Sequence, residues 1–158
     1  MTEQRPLVVC GIDDSPGARA ALEEAVRTAA RRGARVRAVG VYEPPETYGA
    51  WGYGPTAGIP LPRLAIYQQS ERQAAREIVE PVLDRLRAEL ATMPPVDVDA
   101  VPGRPVEALV EVARDADELV VGHRGLGAVG SAVMGSTSLG CVLHAPCPVT
   151  VVPAPVPA

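Results

Sequence analysis

Apolar and polar positions along this chain alternate between two patterns, short unbroken apolar runs and longer stretches with helical spacing. Leu7 to Ile12 (LVVCGI) is an apolar run closed by an Asp-Asp-Ser-Pro turn signal, the pattern of a strand buried on both faces. A helix is predicted from Pro16 to about Arg32, because Ala21, Leu22, Ala25, Val26 and Ala29 recur at helical spacing. Ser15 suits its cap, Pro16 its first turn and Gly33 its end. Arg35 to Tyr42 alternates and then runs apolar, as a second strand would. Arg63 to about Thr92 returns to the helical period through Leu64, Tyr67, Ala75, Ile78, Val82, Leu86 and Leu90. Pro81 inside it is expected to kink or split that helix. Val96 to Val101 alternates apolar and acidic residues, as in a less buried strand. Pro105 opens a helix to about Asp115, Glu118 to Gly122 is another buried strand, Ser136 to His144 a helix, and Pro148 to Val152 a last strand.

Strands alternating with helices in this way predict an α/β fold, an open five-stranded parallel sheet with helices on both faces. Ligands of such sheets sit beyond the strand carboxyl ends, where strand order reverses. The 158 residues suit one domain, drawn as 1–152, with residues 153–158 a flexible Pro/Ala tail. Glu43 to Pro62 carries five Pro and four Gly without periodicity and is predicted to be a long loop.

Composition narrows the chemistry. A net charge of −4 argues against nucleic acid as a partner. There is no Lys, so all 15 basic residues are Arg, which removes Schiff-base lysines and the phosphate-binding lysine of P-loops. Phe is also absent, and the aromatic residues Tyr42, Tyr48, Trp51, Tyr53 and Tyr67 fall in one window around the long loop. Cys10, Cys141 and Cys147, in a chain whose start lacks a signal-peptide pattern, point to a reducing cytoplasm and to roles as small apolar fillers. No charged residue follows Arg124, yet that stretch is rich in Gly, Ser and Thr and cut by Pro146 and Pro148, which argues against a membrane span. Glu71, Arg72, Arg76, Glu77, Glu80, Asp84 and Arg85 are expected to form an exposed helix face with i,i+4 pairing.

Three glycine patterns overlap after the fourth strand. Gly125, Gly127 and Gly130 match a dinucleotide fingerprint, but no acidic residue follows Glu118 to hold a ribose. Gly130 to Thr137 resembles a P-loop with Ser136 in the lysine position. The third pattern is Gly122-His-Arg-Gly125, nine residues, then Gly135-Ser136. It supplies backbone amides at a strand end and at a helix start, hydroxyls from Ser136 and Thr137, and the charge of Arg124, a set suited to phosphate.

That spacing, with GIDDSPGARAAL after the first strand, ELVVGHRG and the closing APCPVTVV, resembles the nucleotide-binding branch of the universal stress protein family over nearly the whole chain. The resemblance implies a Rossmann-like fold of the nucleotide-binding alpha hydrolase type, with ATP held across the carboxyl edge of the sheet. It implies Asp13 near adenine and ribose, Val41 with its backbone at the adenine, and Val121 before the loop. Gly122, Gly125, Gly135 and Ser136 would surround ribose and phosphates. Asp13 equally fits a turn residue. Asp14, where many members have Gly, is expected to be either a turn residue or an added negative charge that weakens phosphate binding unless Mg²⁺ intervenes. A homodimer through the last strand, Val149 to Val152, is also implied, with any further protein partner unspecified.

The expected function is thus a cytoplasmic, ATP-binding regulatory or stress-response module rather than an enzyme, with at most slow hydrolysis. Two alternatives stand beside it. One is an interaction module of the same fold that binds no nucleotide. The other is an adenylating enzyme, against which the missing Ser-Gly-Gly loop after the first strand counts. Tyr48, Trp51 and Tyr53 are expected to form either a flap over the adenine or a surface loop.

Overall fold

The computed structural model describes residues 4–44, 61–124 and 134–155. Strand β1 (Leu7–Ile12) leads into helix α1 (Pro16–Arg32), then β2 (Arg35–Tyr42) and the long helix α2 (Leu61–Glu89). Strand β3 (Val96–Pro102), helix α3 (Pro105–Val112), β4 (Glu118–Gly122), α4 (Ser136–His144) and β5 (Val149–Val152) complete the order. All four strand pairings are parallel, in the order β3-β2-β1-β4-β5. Strand order reverses between β1 and β4, which puts a crevice beyond their carboxyl ends.

Period-two alternation sorts the core into two layers. Val8, Cys10 and Ile12 of β1 pack with α1 and α2 on one face, while Leu7 and Val9 pack with Leu109 of α3 and Cys141 of α4 on the other. With no phenylalanine available, the volume comes from many small side chains, and Leu22, Leu86 and Leu119 are the largest fully buried ones.

Helix α1 begins and ends as its sequence predicts. The Ser15 hydroxyl accepts the Ala18 N–H at 3.1 Å, Pro16 opens the first turn, and Gly33 adopts the left-handed φ of 65° that closes the helix. Of the two effects expected of Pro81, the split does not occur: α2 is one helix with Pro81 inside it. Pro81 sits on the exposed side, whereas Ala75, Val79, Val82, Leu83 and Leu86, on both sides of it, are buried on the same cluster. Burial worth about 1.5–3 kcal/mol per large side chain outweighs a proline cost of about 3 kcal/mol. On the exposed face of α2, Gln73 donates to Glu77 at i,i+4 (3.4 Å) and Arg87 pairs with Asp84 and Glu80, while two arginines reach other elements. Arg72 bonds Asp99 of β3 at 3.0 Å and Arg85 bonds Glu23 of α1 at 2.5 Å. Helix α3 ends early, at Val112, and a 3₁₀ turn over Ala113–Asp115 finishes the segment.

The two sheet edges differ. At β3, Asp99 lies between Arg37 at 2.7 Å and Arg72, and these pairs, with the Ala100 N–H, hold its carboxyl below the usual value although burial opposes them. At β5 the edge is Val-Thr-Val-Val, without charge and only half-buried. Burial pushes the Cys10 thiol up to about 12, and burial with the neighbouring Cys147 pushes Cys141 to about 11, so both behave as fillers. The Tyr42 and Tyr67 rings meet edge to face at 5.6 Å, joining the ends of the aromatic window; Tyr48, Trp51 and Tyr53 lie outside the described residues. Among the described residues no helix is long and apolar enough to cross a membrane.

Candidate functional site

The crevice between β1 and β4 opens into a cleft of about 280 Å³ at the carboxyl ends of the strands. Its apolar wall is Ile12 of β1, Val39 and Val41 of β2, Leu109 of α3 and Val121 of β4. Its polar side is made by Asp13, Ser15, Arg124 and the first turn of α4, Gly135 to Ser138. An apolar slot facing hydroxyls, amides and one guanidinium suits a ligand with a flat apolar part and an anionic part.

The polar side is built by backbone geometry. Asp13 closes an Asx turn, its Oδ1 accepting the Ser15 N–H at 2.9 Å, so the turn role and a place on the cleft wall coexist in one residue. Asp14 faces the other way, paired with Arg19 on the exposed side of α1, and does not line the cleft. Ser15 caps α1 and donates to the Arg124 carbonyl at 3.5 Å, tying the start of α1 to the end of β4.

Glycine at 122 is required by packing. A Cβ there would stand 2.6 Å from the Gly17 carbonyl carbon, and one at Gly17 would stand 2.8 Å from the Arg124 carbonyl oxygen. The two glycines let β4 and α1 approach backbone to backbone. Gly135 is tight as well: its Cβ would meet the His123 carbonyl oxygen at 3.2 Å, and its N–H donates to that oxygen at 2.8 Å.

Two features favour an anion in the cleft. Helix α1 has a side-chain cap, but α4 has none, since Gly135 fills that position, so its first amides and its dipole face the cleft beside Ser136 and Thr137. Among the described residues the buried Nε of Arg124 has no hydrogen-bond partner. A buried donor left unpaired costs about 1–3 kcal/mol, more when charged, unless a ligand satisfies it.

Of the residues singled out from sequence, Asp13, Val41, Val121, Gly122, Arg124, Gly135, Ser136 and Thr137 all line this one cleft. Gly125 lies outside the described residues. The sequence reading missed Ser15 and Ser138 as parts of the wall. Ser15 had a sufficient explanation as a helix cap, and Ser138 lies just past the Gly-Ser pattern with no chemical signal of its own. Among the described residues no group of three or more metal-ligating side chains gathers.

The universal stress protein family model matches residues 6–153. The chain is 35% identical over 150 residues to a universal stress protein of Thermus aquaticus, covering 92% of this chain and 96% of that one. It spans only 46% to 47% of the length of the mycobacterial universal stress proteins it also matches. Among solved structures, UspA from Lactobacillus plantarum superposes with a TM-score of 0.68 at 24% identity, over 96% of this chain and 99% of that one. A universal stress protein in complex with cAMP gives 0.58 at 26% identity, over 95% and 98%. The parallel sheet with its reversal at β1 and β4, and a family match running from before β1 to beyond β5, lead to one assignment: the chain belongs to the universal stress protein family.

Proposed function

We propose that this protein is an adenine-nucleotide-binding regulatory module, with ATP as its physiological ligand. The observation that carries the reading is the pairing, in one cleft, of an uncapped α4 N-terminus with the unpartnered buried Nε of Arg124. Both call for an anion, and the adjacent slot of Ile12, Val39, Val41 and Leu109 suits a purine face. The solved relative in complex with cAMP supports an adenine nucleotide as the class. In this reading Arg124, Ser136 and Thr137 take the phosphates, Val41 and Val121 flank the base, and Asp13 keeps one carboxylate oxygen free for the ribose. Gly122 and Gly135 keep the backbone close to the ligand.

Mg²⁺ binds nucleotides mainly through phosphate oxygens with one or two carboxylates. Asp13 is the carboxylate that lines the cleft, so an ion would arrive with the nucleotide rather than occupy a site of its own. The reading places the protein in the cytoplasm as a homodimer. The β5 edge and the apolar face of α4, where Leu139, Val142 and Leu143 are 46%, 48% and 66% exposed, offer a self-complementary surface to a second copy.

The test is to purify the protein, denature it and chromatograph what is released. Adenine nucleotide in the supernatant, and a melting temperature raised by ATP with and without Mg²⁺, are the expected results. No released nucleotide together with an unchanged melting temperature overturns the reading and favours an interaction module that needs no ligand. Phosphate release at enzymatic turnover rates would favour a hydrolase instead.

A further inference from the structure

One peptide segment at the end of β4 fastens three other elements. The His123 N–H donates to the carbonyl of Val152, the last residue of β5, at 2.8 Å. Its carbonyl accepts the Gly135 N–H at 2.8 Å and the Ser138 hydroxyl at 3.0 Å, both from the start of α4. The next carbonyl, of Arg124, accepts from Ser15 at the start of α1. The cleft and the β5 edge therefore share a single backbone unit.

Ser138 is the side chain that makes this junction. It is 2% exposed, and its one hydroxyl proton is shared between the His123 carbonyl and the Gly135 carbonyl, the latter at 2.9 Å. A buried serine bonding back to its own helix gives that helix little, so its value lies in the bond across to β4. Helix α4 is nine residues long, about 13 Å, too short to bend between its two ends. Its first turn lines the cleft, and its outer side carries Leu139, Val142 and Leu143 next to β5. A displacement at one end is a displacement at the other.

We propose that Ser138 is a positioning residue that couples occupancy of the cleft to association of a second copy of this chain on β5 and α4. The proposal rests on the nucleotide-binding, dimeric reading above. A nucleotide anchored on the α4 amides and Arg124 holds both against the His123 peptide, which holds the end of β5. The edge strand then loses less freedom when it pairs, and each event favours the other by the same factor.

The experiment measures the dimer dissociation constant of the full chain by sedimentation equilibrium, without nucleotide and with saturating AMP or ATP, while a melting-temperature shift reports nucleotide binding separately. In the unaltered protein nucleotide tightens the dimer about five-fold or more, and the dimer binds nucleotide more tightly by the same factor. At nucleotide concentrations that saturate it, Ser138→Ala shows a coupling factor within about two-fold of unity, whatever its own nucleotide affinity. Thr28→Val, which removes a buried hydroxyl on α1 that bonds Glu24 far from the cleft, keeps the full coupling. If Ser138→Ala does not fold, Ser138→Cys keeps the shape at a slightly larger volume with a weaker donor and gives an intermediate factor. Equal dimer affinity with and without bound nucleotide, a chain that stays monomeric with nucleotide bound, or undiminished coupling in the Ser138 variants overturns the proposal. Absence of any nucleotide-dependent melting shift overturns the underlying functional reading as well, and so is distinguishable from failure of the coupling alone.

Discussion

Gly122 at the end of β4 and Gly17 in the first turn of α1 touch backbone to backbone, with no room for a methyl group on either side. A Cβ on Gly122 would lie 2.6 Å from the Gly17 carbonyl carbon and 2.9 Å from the Ala18 nitrogen. Neither neighbour is a flexible side chain, so the strand and the helix would have to separate. Gly122→Ala is therefore expected to cost about 1–3 kcal/mol, the usual range for overpacking, read as a lower urea midpoint at unchanged slope. An unchanged midpoint would show that β4 and α1 can part without cost.

Arg124 predicts opposite effects on the free and liganded protein. Its buried Nε lacks a partner, so Arg124→Met removes an unsatisfied donor and should leave the melting temperature of the free protein unchanged or raise it. On the nucleotide-binding reading, the stabilisation by added ATP should shrink, because the charge proposed to face the phosphates is gone. A variant that melts much lower without nucleotide would mean the guanidinium stabilises the free fold.

Asp99 gives the stability a dependence on acid. Burial opposes its charge, but Arg37, Arg72 and the Ala100 N–H hold its carboxyl below the usual carboxylate value in the folded protein. A depressed carboxyl contributes stability that is complete above its unfolded value and lost as pH falls through the folded one. Thermal melts between pH 6 and 2 should thus fall less steeply below about pH 4 in Asp99→Asn than in the unaltered chain. Parallel curves for the two proteins would sink this assignment. Asp99→Asn should also melt lower at neutral pH, since it leaves Arg37 and Arg72 without their shared partner.

Thiol chemistry should follow burial. Cys10 is fully buried with its thiol pushed up to about 12, so a disulfide reagent at pH 8 should modify it only on global unfolding. Cys147 is half-exposed and should react first. Rapid labelling of Cys10 in the folded protein would require an opening of the β1 core that its packing does not allow.

Much of this architecture is legible along the chain. The capped, proline-opened helix after LVVCGI and the glycine at its end appear at the residues that the sequence pattern marks, because caps and turns are local effects. Where the pattern misled, a non-local effect won. Pro81 did not divide α2, because side chains on both sides of it bury on the same sheet face. Arg72 and Arg85 left their own helix for Asp99 and Glu23, since those partners come near only after the chain folds. The same limit hid Ser138, whose purpose depends on a carbonyl 15 residues away in sequence.

By itself the sequence determined the order of strands and helices, the two-sided burial of the sheet and the glycine spacing, since each follows from periodicity or from the conformations single residues can adopt. Tertiary structure alone decided that Gly122 serves contact with Gly17, and that the Nε of Arg124 is buried without a partner among the described residues. It also brought Val152, Gly135 and Ser138 to one peptide at His123. These relations join residues far apart in sequence, and no local propensity encodes them. They arise when parallel strands bring their carboxyl ends, and the helices that start there, to one edge of the sheet.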